Sequence, residues 1–162
     1  MKKLLFLVIP FLLVSCNIAT APTHDFHIHA GFQVYIDNTL VNFSDVRFMY
    51  FKPCGLAKDE IKTIKDKVHL HDQIGEALHI HDKDVTWKDA MDSLGVVTGS
   101  GATFYVDGTK DTLLLSEKIQ AFQSASIFIG KTTDIEKKVA ARVTKDRLVE
   151  IEKQKGENCG KE

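Results

Sequence analysis

From Val68 to Asp82 the chain reads Val-His-Leu-His-Asp-Gln-Ile-Gly-Glu-Ala-Leu-His-Ile-His-Asp, which is nearly a mirror about Gly75. His69 mirrors His81, His71 mirrors His79, and Leu70 mirrors Ile80. Alternation of His with Val, Leu or Ile has a period of two, the pattern of a strand whose two faces differ in chemistry. Gly75 stands where a hairpin takes a residue tolerant of positive φ. The expected register therefore pairs His69 with His81 and His71 with His79. It places all four imidazoles on one face and Val68, Leu70, Leu78 and Ile80 on the core side. Opposed Cβ atoms in such a pair lie about 4.5–5.5 Å apart. Imidazole nitrogens bind zinc at about 2.0–2.1 Å, so neighbouring rings could share one ion. A register slip of one residue would set His against Leu or Ile and mix the faces.

A third His-x-His pair, His27 and His29, stands earlier in Asp25-Phe26-His27-Ile28-His29, and all seven histidines of the chain fall between residues 24 and 81. If that strand lies beside the hairpin, six imidazoles line one surface, and the candidate metal ligands are His27, His29, His69, His71, His79 and His81. Asp25, Asp72 and Asp82 flank these pairs and could ligate through oxygen or orient a ligand histidine. His24 is an additional candidate at the edge of the domain. Neutral imidazole suits zinc, copper and nickel. The three methionines, Met1, Met49 and Met91, do not make a Met-rich copper(I) site, which leaves zinc and copper(II) both open.

Asp25-Phe26-His27-Ile28-His29 also resembles the Asp-x-His-x-His that opens amidohydrolase barrels. Such a barrel takes typically ~250 residues and alternating strands and helices. This chain of 162 residues has neither the length nor the alternation. There is no Gly-rich phosphate loop, no G-x-S-x-G and no C-x-x-C. A formal net charge of −1, with basic residues dispersed among acids, excludes an electrostatic nucleic-acid binder.

The two ends carry different signals. Lys2 and Lys3 precede an apolar run from Leu4 to Val14, too short for a comfortable membrane span and interrupted by Pro10. Leu13-Val14-Ser15-Cys16 then resembles a bacterial lipobox. The expectation is a signal peptide over 1–15, lipidation of Cys16, a tether over 16–23 and a location on the extracytoplasmic face of a membrane. Cleavage of an ordinary secretory signal near Ala19-Thr20-Ala21 is the alternative. After export Cys54 and Cys159 remain, and a disulfide between them is expected, with two free thiols or one thiol in a metal site as the alternatives.

The domain proper is expected over 24–131. Phe26–His29 and Phe32–Ile36 read as strand, Asp37-Asn38 as a turn and Leu40–Phe43 as a returning strand. Val46–Phe51 alternates apolar and aromatic residues, and Leu56–Lys67 reads as a short helix or ordered loop. Thr86 is a candidate N-cap for a helix over Trp87–Leu94, with Asp89 at the third helical position and Gly95 as its stop. Strands are expected at Ala102–Val106, Thr112–Leu115 and Ser126–Ile129, with a turn at Asp107-Gly108. A C-terminal helix is expected within 132–155, capped by Thr133 with Glu136, carrying Ile135, Val139, Val143, Leu148 and Ile151 on one stripe and followed by a tail over 156–162. These elements make an α+β fold with a mainly antiparallel sheet, a short central helix and a long C-terminal helix, in a β-grasp-like arrangement.

The combined motifs resemble a family of small exported or membrane-anchored prokaryotic proteins of unknown function. The likeness rests on His27 to Asn38, His69-Leu70-His71-Asp72, Gly75, Leu78-His79-Ile80-His81 and Thr86 to Gly95, and more faintly on Phe104-Tyr105-Val106-Asp107-Gly108. It implies a surface location and histidine motifs but no activity. The reading from sequence is a membrane-anchored lipoprotein that binds zinc or copper(II) through clustered histidines, for buffering, sensing or delivery. The alternatives are a metal-dependent hydrolase using Asp72 or Asp82 as base, and a structural or adhesion module without metal.

Overall fold

The computed structural model describes residues 26–51 and 60–154. Cys16, Cys54, Cys159, His24 and Asp25 lie outside the described residues, and with them the lipidation and disulfide expectations.

The central strand β1 spans Ile28–Ile36. It ends at Asp37 and Asn38, whose φ values of 45° and 71° make the two-residue turn that feeds β2 (Thr39–Leu40). β3 (Val68–His69) and β4 (Ala77–Ile80) follow, then β5 (Thr103–Val106), β6 (Thr109–Lys110) and β7 (Ser124–Ile129). The strand order is β3-β4-β1-β7-β5-β6, with β2 also paired to β1. β1 and β7 are parallel at the centre, while every other pairing is antiparallel. The first and last strands thus lie side by side with an antiparallel neighbour outside each, in the α+β fold with a mainly antiparallel sheet that was anticipated.

Period-two alternation divides the sheet into two faces. One face presents Ala30, Phe32 and Val34 from β1, Val68 from β3, Leu78 and Ile80 from β4, and Ala125 and Ile127 from β7, and Leu70 beyond β3 packs with them, all essentially buried. Val68, Leu70, Leu78 and Ile80 occupy the core side, as their alternation required. A short helix α1 (Ile64–Lys67) precedes β3. The helix α2 (Trp87–Leu94) packs on this face through Trp87, Ala90, Met91 and Leu94. It starts and stops where the sequence indicated. Thr86 and Asp89 form a reciprocal capping box, and Gly95 closes the helix in the left-handed conformation at φ 72°.

The opposite face carries His29, Gly31, Gln33 and Tyr35, and is covered further along by the C-terminal helices. The helical segment runs from Ile135 to Lys153 but is bent into α3 (Ile135–Ala140) and α4 (Lys145–Lys153). Thr144, whose hydroxyl accepts from the Arg147 amide, caps the second piece. The spacing of five from Val143 to Leu148 was the trace of this break. At the front, Thr133 caps nothing: its hydroxyl hydrogen-bonds Asn38 and Asp134, and Asp134 takes the N-cap position. Val139 packs with Tyr35 and Phe128, and Leu148 and Ile151 pack on Ala77. Gly31 permits the approach, since a Cβ there would stand 2.6 Å from Val143 Cβ.

Three local expectations change. The strand placed at Thr112–Leu115 is instead β6 at Thr109–Lys110 followed by a 3-10 turn over Leu114–Ser116. The tight turn at Asp107-Gly108 (φ 49° and 92°) brings Thr109 opposite Val106 at once, and the Asp111 carboxylate then accepts the Leu113 amide and curls the chain. The returning strand after Asn38 keeps only Thr39 and Leu40, and Val46–Phe48 is a 3-10 turn capped by Asp45.

The third change concerns the hairpin. His69 lies opposite His79, and Val68 opposite Ile80, so the register is displaced by two residues from the mirror about Gly75. β3 is short because Leu70 bridges to Met49 and its carbonyl accepts the Tyr50 amide. Asp72 and Gln73, both at φ 57°, supply the left-handed turn residues. Gly75 is required by crowding rather than by φ: a Cβ there would lie 2.3 Å from the Ser44 amide nitrogen and 2.5 Å from the Phe43 carbonyl carbon. A displacement of two preserves side-chain parity, so both faces keep their expected chemistry. Gly75→Ala should destabilise the protein by about 1–3 kcal/mol, as overpacking against backbone does. An unchanged urea midpoint would show that the 43–44 segment moves freely.

Candidate metal centre

β4 is flanked on one side by β3 and on the other by β1, and His79 is the residue common to both pairings. It lies opposite His69 in one and His29 in the other. His27 and His81 are one step further along the same β1–β4 register, and His71 follows two residues after His69. Strand parity therefore delivers all six expected histidines to one face. Their rings form a closed cycle in the order His27, His29, His79, His71, His69, His81, with successive centroid separations of 4.6, 4.2, 3.7, 5.7, 5.0 and 4.8 Å.

Among the described residues, His27, His29 and His79 form the group that could hold a metal ion, their ligand nitrogens all within 4.8 Å of one another. His29 Nε2 is 3.0 Å and His27 Nε2 3.2 Å from His79 Nδ1. A tetrahedral ion with nitrogen ligands at 2.0–2.1 Å has ligand–ligand edges of roughly 3.3–3.4 Å. The two separations from His79 Nδ1 are close to that edge.

Three imidazoles are oriented from their outer edges. His29 Nδ1 donates to Glu152 Oε1 at 3.0 Å, His69 Nδ1 to the Lys65 carbonyl at 2.7 Å, and His71 Nδ1 to Asp72 Oδ2 at 2.7 Å. Each of these oxygens accepts, so in the neutral ring the proton sits on Nδ1 and Nε2 carries the lone pair. Orientation of a ligand histidine through its second nitrogen is the usual supporting arrangement of metal sites. With the His29 proton on Nδ1, His79 Nδ1 supplies the proton of their 3.0 Å contact, and an ion replacing that proton would meet three nitrogens.

For His27, His69, His79 and His81 the environment favours the neutral, ligating form. His29, His69, His79 and His81 are buried, while His27 and His71 are half-buried. Burial, with repulsion among neighbouring imidazolium charges behind it, lowers His27 and His69 to about 4 and His81 to about 3, and holds His79 well below the ordinary value. Beside the cycle, Tyr50 lies 4.6 Å from the His69 ring and its hydroxyl hydrogen-bonds Asp66. Burial pushes the Asp66 carboxyl upward, but hydrogen bonds from Tyr50, Thr63 and the Lys62 amide outweigh this and hold it well below the usual carboxylate range.

Of the carboxylates singled out from sequence, Asp72 does engage a histidine, whereas Asp82 pairs with Lys67 at 3.0 Å. Glu152 was not anticipated. It lies 123 residues from His29, on a charged helix whose sequence does not distinguish one glutamate from another. The Lys65 carbonyl and the Tyr50–Asp66 pair were equally invisible, since no side-chain motif marks them. Comparison with family models, curated proteins and solved structures finds no match to this chain.

The lowered histidines set a direction for acid stability. Their folded values lie below the unfolded value of about 6.5, so between the two the unfolded chain binds more protons. The contribution is fully present above about pH 6.5 and is lost as pH falls through about 4. Denaturant midpoints measured from pH 7.5 to 4 without metal should fall steeply below pH 6.5, with uptake of more than one proton on unfolding. A flat profile down to pH 4.5 would contradict burial of neutral histidines.

Proposed function

We propose that this protein binds a transition-metal ion, with His27, His29 and His79 as its ligands. The observation that carries the reading is the gathering of His27, His29 and His79 on one sheet face, with His27 Nε2 and His29 Nε2 at 3.2 and 3.0 Å from His79 Nδ1 and the ligand nitrogens of the three within 4.8 Å of one another. Three neutral imidazoles suit zinc or copper(II), the two ions left open by the donor set. Buffering, sensing or delivery of the ion fits a buried site better than catalysis does. His29 and His79 are almost wholly shielded from solvent, and the carboxylates considered as a base are occupied, Asp72 with His71 and Asp82 with Lys67. A cavity of about 640 Å³ does exist, but it lies by Phe43, Gly75 and Arg147, and no histidine lines it. A purely structural module does not account for rings whose inner nitrogens converge while their outer nitrogens are held.

We further propose that the protein acts at the extracytoplasmic face of a membrane, held by lipid on Cys16. Among the described residues no helix is long and apolar enough to cross a membrane, so the attachment rests on the lipobox and its flanks.

Two measurements check these readings. Zinc titration of untagged protein should show His27→Ala abolishing tight binding, with the core intact because His27 lies off the apolar face. Glu152→Gln should weaken binding by roughly 10–100-fold, the usual cost of losing a partner that orients a ligand. Wild-type affinity in both variants would end the proposal. Separately, mass spectrometry of the membrane fraction should find a chain beginning at acylated Cys16, and a water-soluble form beginning near Ala21 would refute lipidation.

A further inference from the structure

The cavity by Phe43, Gly75 and Arg147 has a chemistry of its own. It opens where neighbouring parts of the chain diverge. The β1–β4 ladder stops at Gly31 opposite Ala77, and the β1–β2 ladder stops at Tyr35 opposite Leu40. Gln33 lies between the two and pairs only with Ser126 of β7. Across from it the chain bends between α3 and α4, and residues 141–144 line the space. The volume of about 640 Å³ falls within the range of about 300–1,000 Å³ usual for small-molecule sites.

The lining offers three kinds of contact. Val41, Phe43, Ile74 and Val143 supply apolar surface. Gln33, only 8% exposed, supplies an acceptor. Its side-chain amide donates to Ser126 Oγ and to the Lys138 carbonyl, both at 2.8 Å. A carbonyl can only accept, so the Lys138 contact fixes which end of the amide is nitrogen. Both hydrogens are thereby committed, and Oε1 is left with no partner among the described residues. The third contact is an ion pair. Arg147 on α4 and Glu76 just before β4 both line the cavity and meet at 2.7 Å through Nε and Oε1. Arg147 Nη1 is 3.6 Å from Glu150, too long for a hydrogen bond, so donors of the guanidinium remain for a second carboxylate. Glu76 likewise keeps a second oxygen for a cation.

A wall that carries both signs beside an acceptor and apolar surface matches a zwitterion with an apolar body. A lone anion would meet Glu76, and a lone cation would meet Arg147. We propose that this cavity binds a free apolar α-amino acid, its carboxylate on Arg147, its ammonium on Glu76 and Gln33 Oε1, and its side chain against Val41, Phe43, Ile74 and Val143. The site is separate from the metal centre, since no histidine lines it.

Calorimetry on the untagged, metal-free full-length chain tests this with three probes. L-phenylalanine should bind at one site. 3-Phenylpropionate, which lacks the ammonium, and 2-phenylethylamine, which lacks the carboxylate, should each bind about tenfold or more weakly, the scale of one lost charge-assisted hydrogen bond. Arg147→Met should remove the preference for L-phenylalanine over 2-phenylethylamine, with circular dichroism unchanged. Amide shifts in the NMR spectrum should move at residues 73–76 and 141–147 on adding L-phenylalanine. No binding of L-phenylalanine, equal binding of the three probes, or shifts confined to other residues overturns the proposal. If Arg147→Met unfolds, the comparison of probes on the wild type decides alone. Zinc binding by the histidines is measured separately, so failure here leaves the metal reading standing.

Discussion

The pairing of β1 with β4, His29 opposite His79, fixes most of what matters in this molecule. Because side chains alternate across a strand, this single register sends Ile28, Ala30, Leu78 and Ile80 toward α2 and His27, His29, His79 and His81 to the other face. The apolar half of the pairing supplies the energy. Full burial of an aliphatic side chain contributes about 1.5–3 kcal/mol, and the core face of these strands buries several. The histidines contribute little by burial and incur a desolvation cost, yet they cannot leave without exposing Leu78 and Ile80. Packing on one face thus holds a costly arrangement of polar rings on the other.

A second constraint comes from the C-terminal helices. Their second half settles on the histidine face where its side chains are small. Gly31 admits Val143, and Ala77 receives Leu148 and Ile151. Glu152 follows Ile151 directly, so the burial of Ile151 positions the carboxylate that holds His29 Nδ1. The bend at Thr144 separates a helix over Tyr35 from one over Ala77. The orientation of His29 therefore depends on a helix that follows it by more than a hundred residues.

The parts legible in the sequence were those governed by local rules. Thr86, Asp89 and Gly95 bracket α2 because capping is decided within a few residues. The alternation around His69 and His79 gave the faces because parity is a property of each strand alone. The register was not legible. A sequence nearly symmetric about Gly75 fixes parity but not position, and a shift of two leaves every face unchanged. The choice was made elsewhere, by Leu70 bridging Met49 and by the 43–44 segment pressing on Gly75. The same holds for the triad: three His-x-His pairs could be listed, but which three nitrogens converge depends on the order of strands β3, β4 and β1. Glu152 lay furthest beyond reach, since its role arises only once α4 has docked.

Donor and acceptor accounting within the cycle says why such a cluster calls for a cation. The Nδ1 protons of His29, His69 and His71 are directed outward to oxygens, which leaves their Nε2 lone pairs directed inward. The buried Nε2 of His81 has no hydrogen-bond partner among the described residues, and a buried acceptor without a donor is costly. An electron-poor centre relieves this, and either a proton or a metal ion can provide it. Protonation is opposed by the same burial that brings the rings together, which is why His27, His69 and His81 are lowered to between about 3 and about 4. Near neutral pH the proton is therefore the weaker competitor. On the reading proposed here, the sheet excludes the commonest occupant of an imidazole lone pair and so leaves the cluster to a metal.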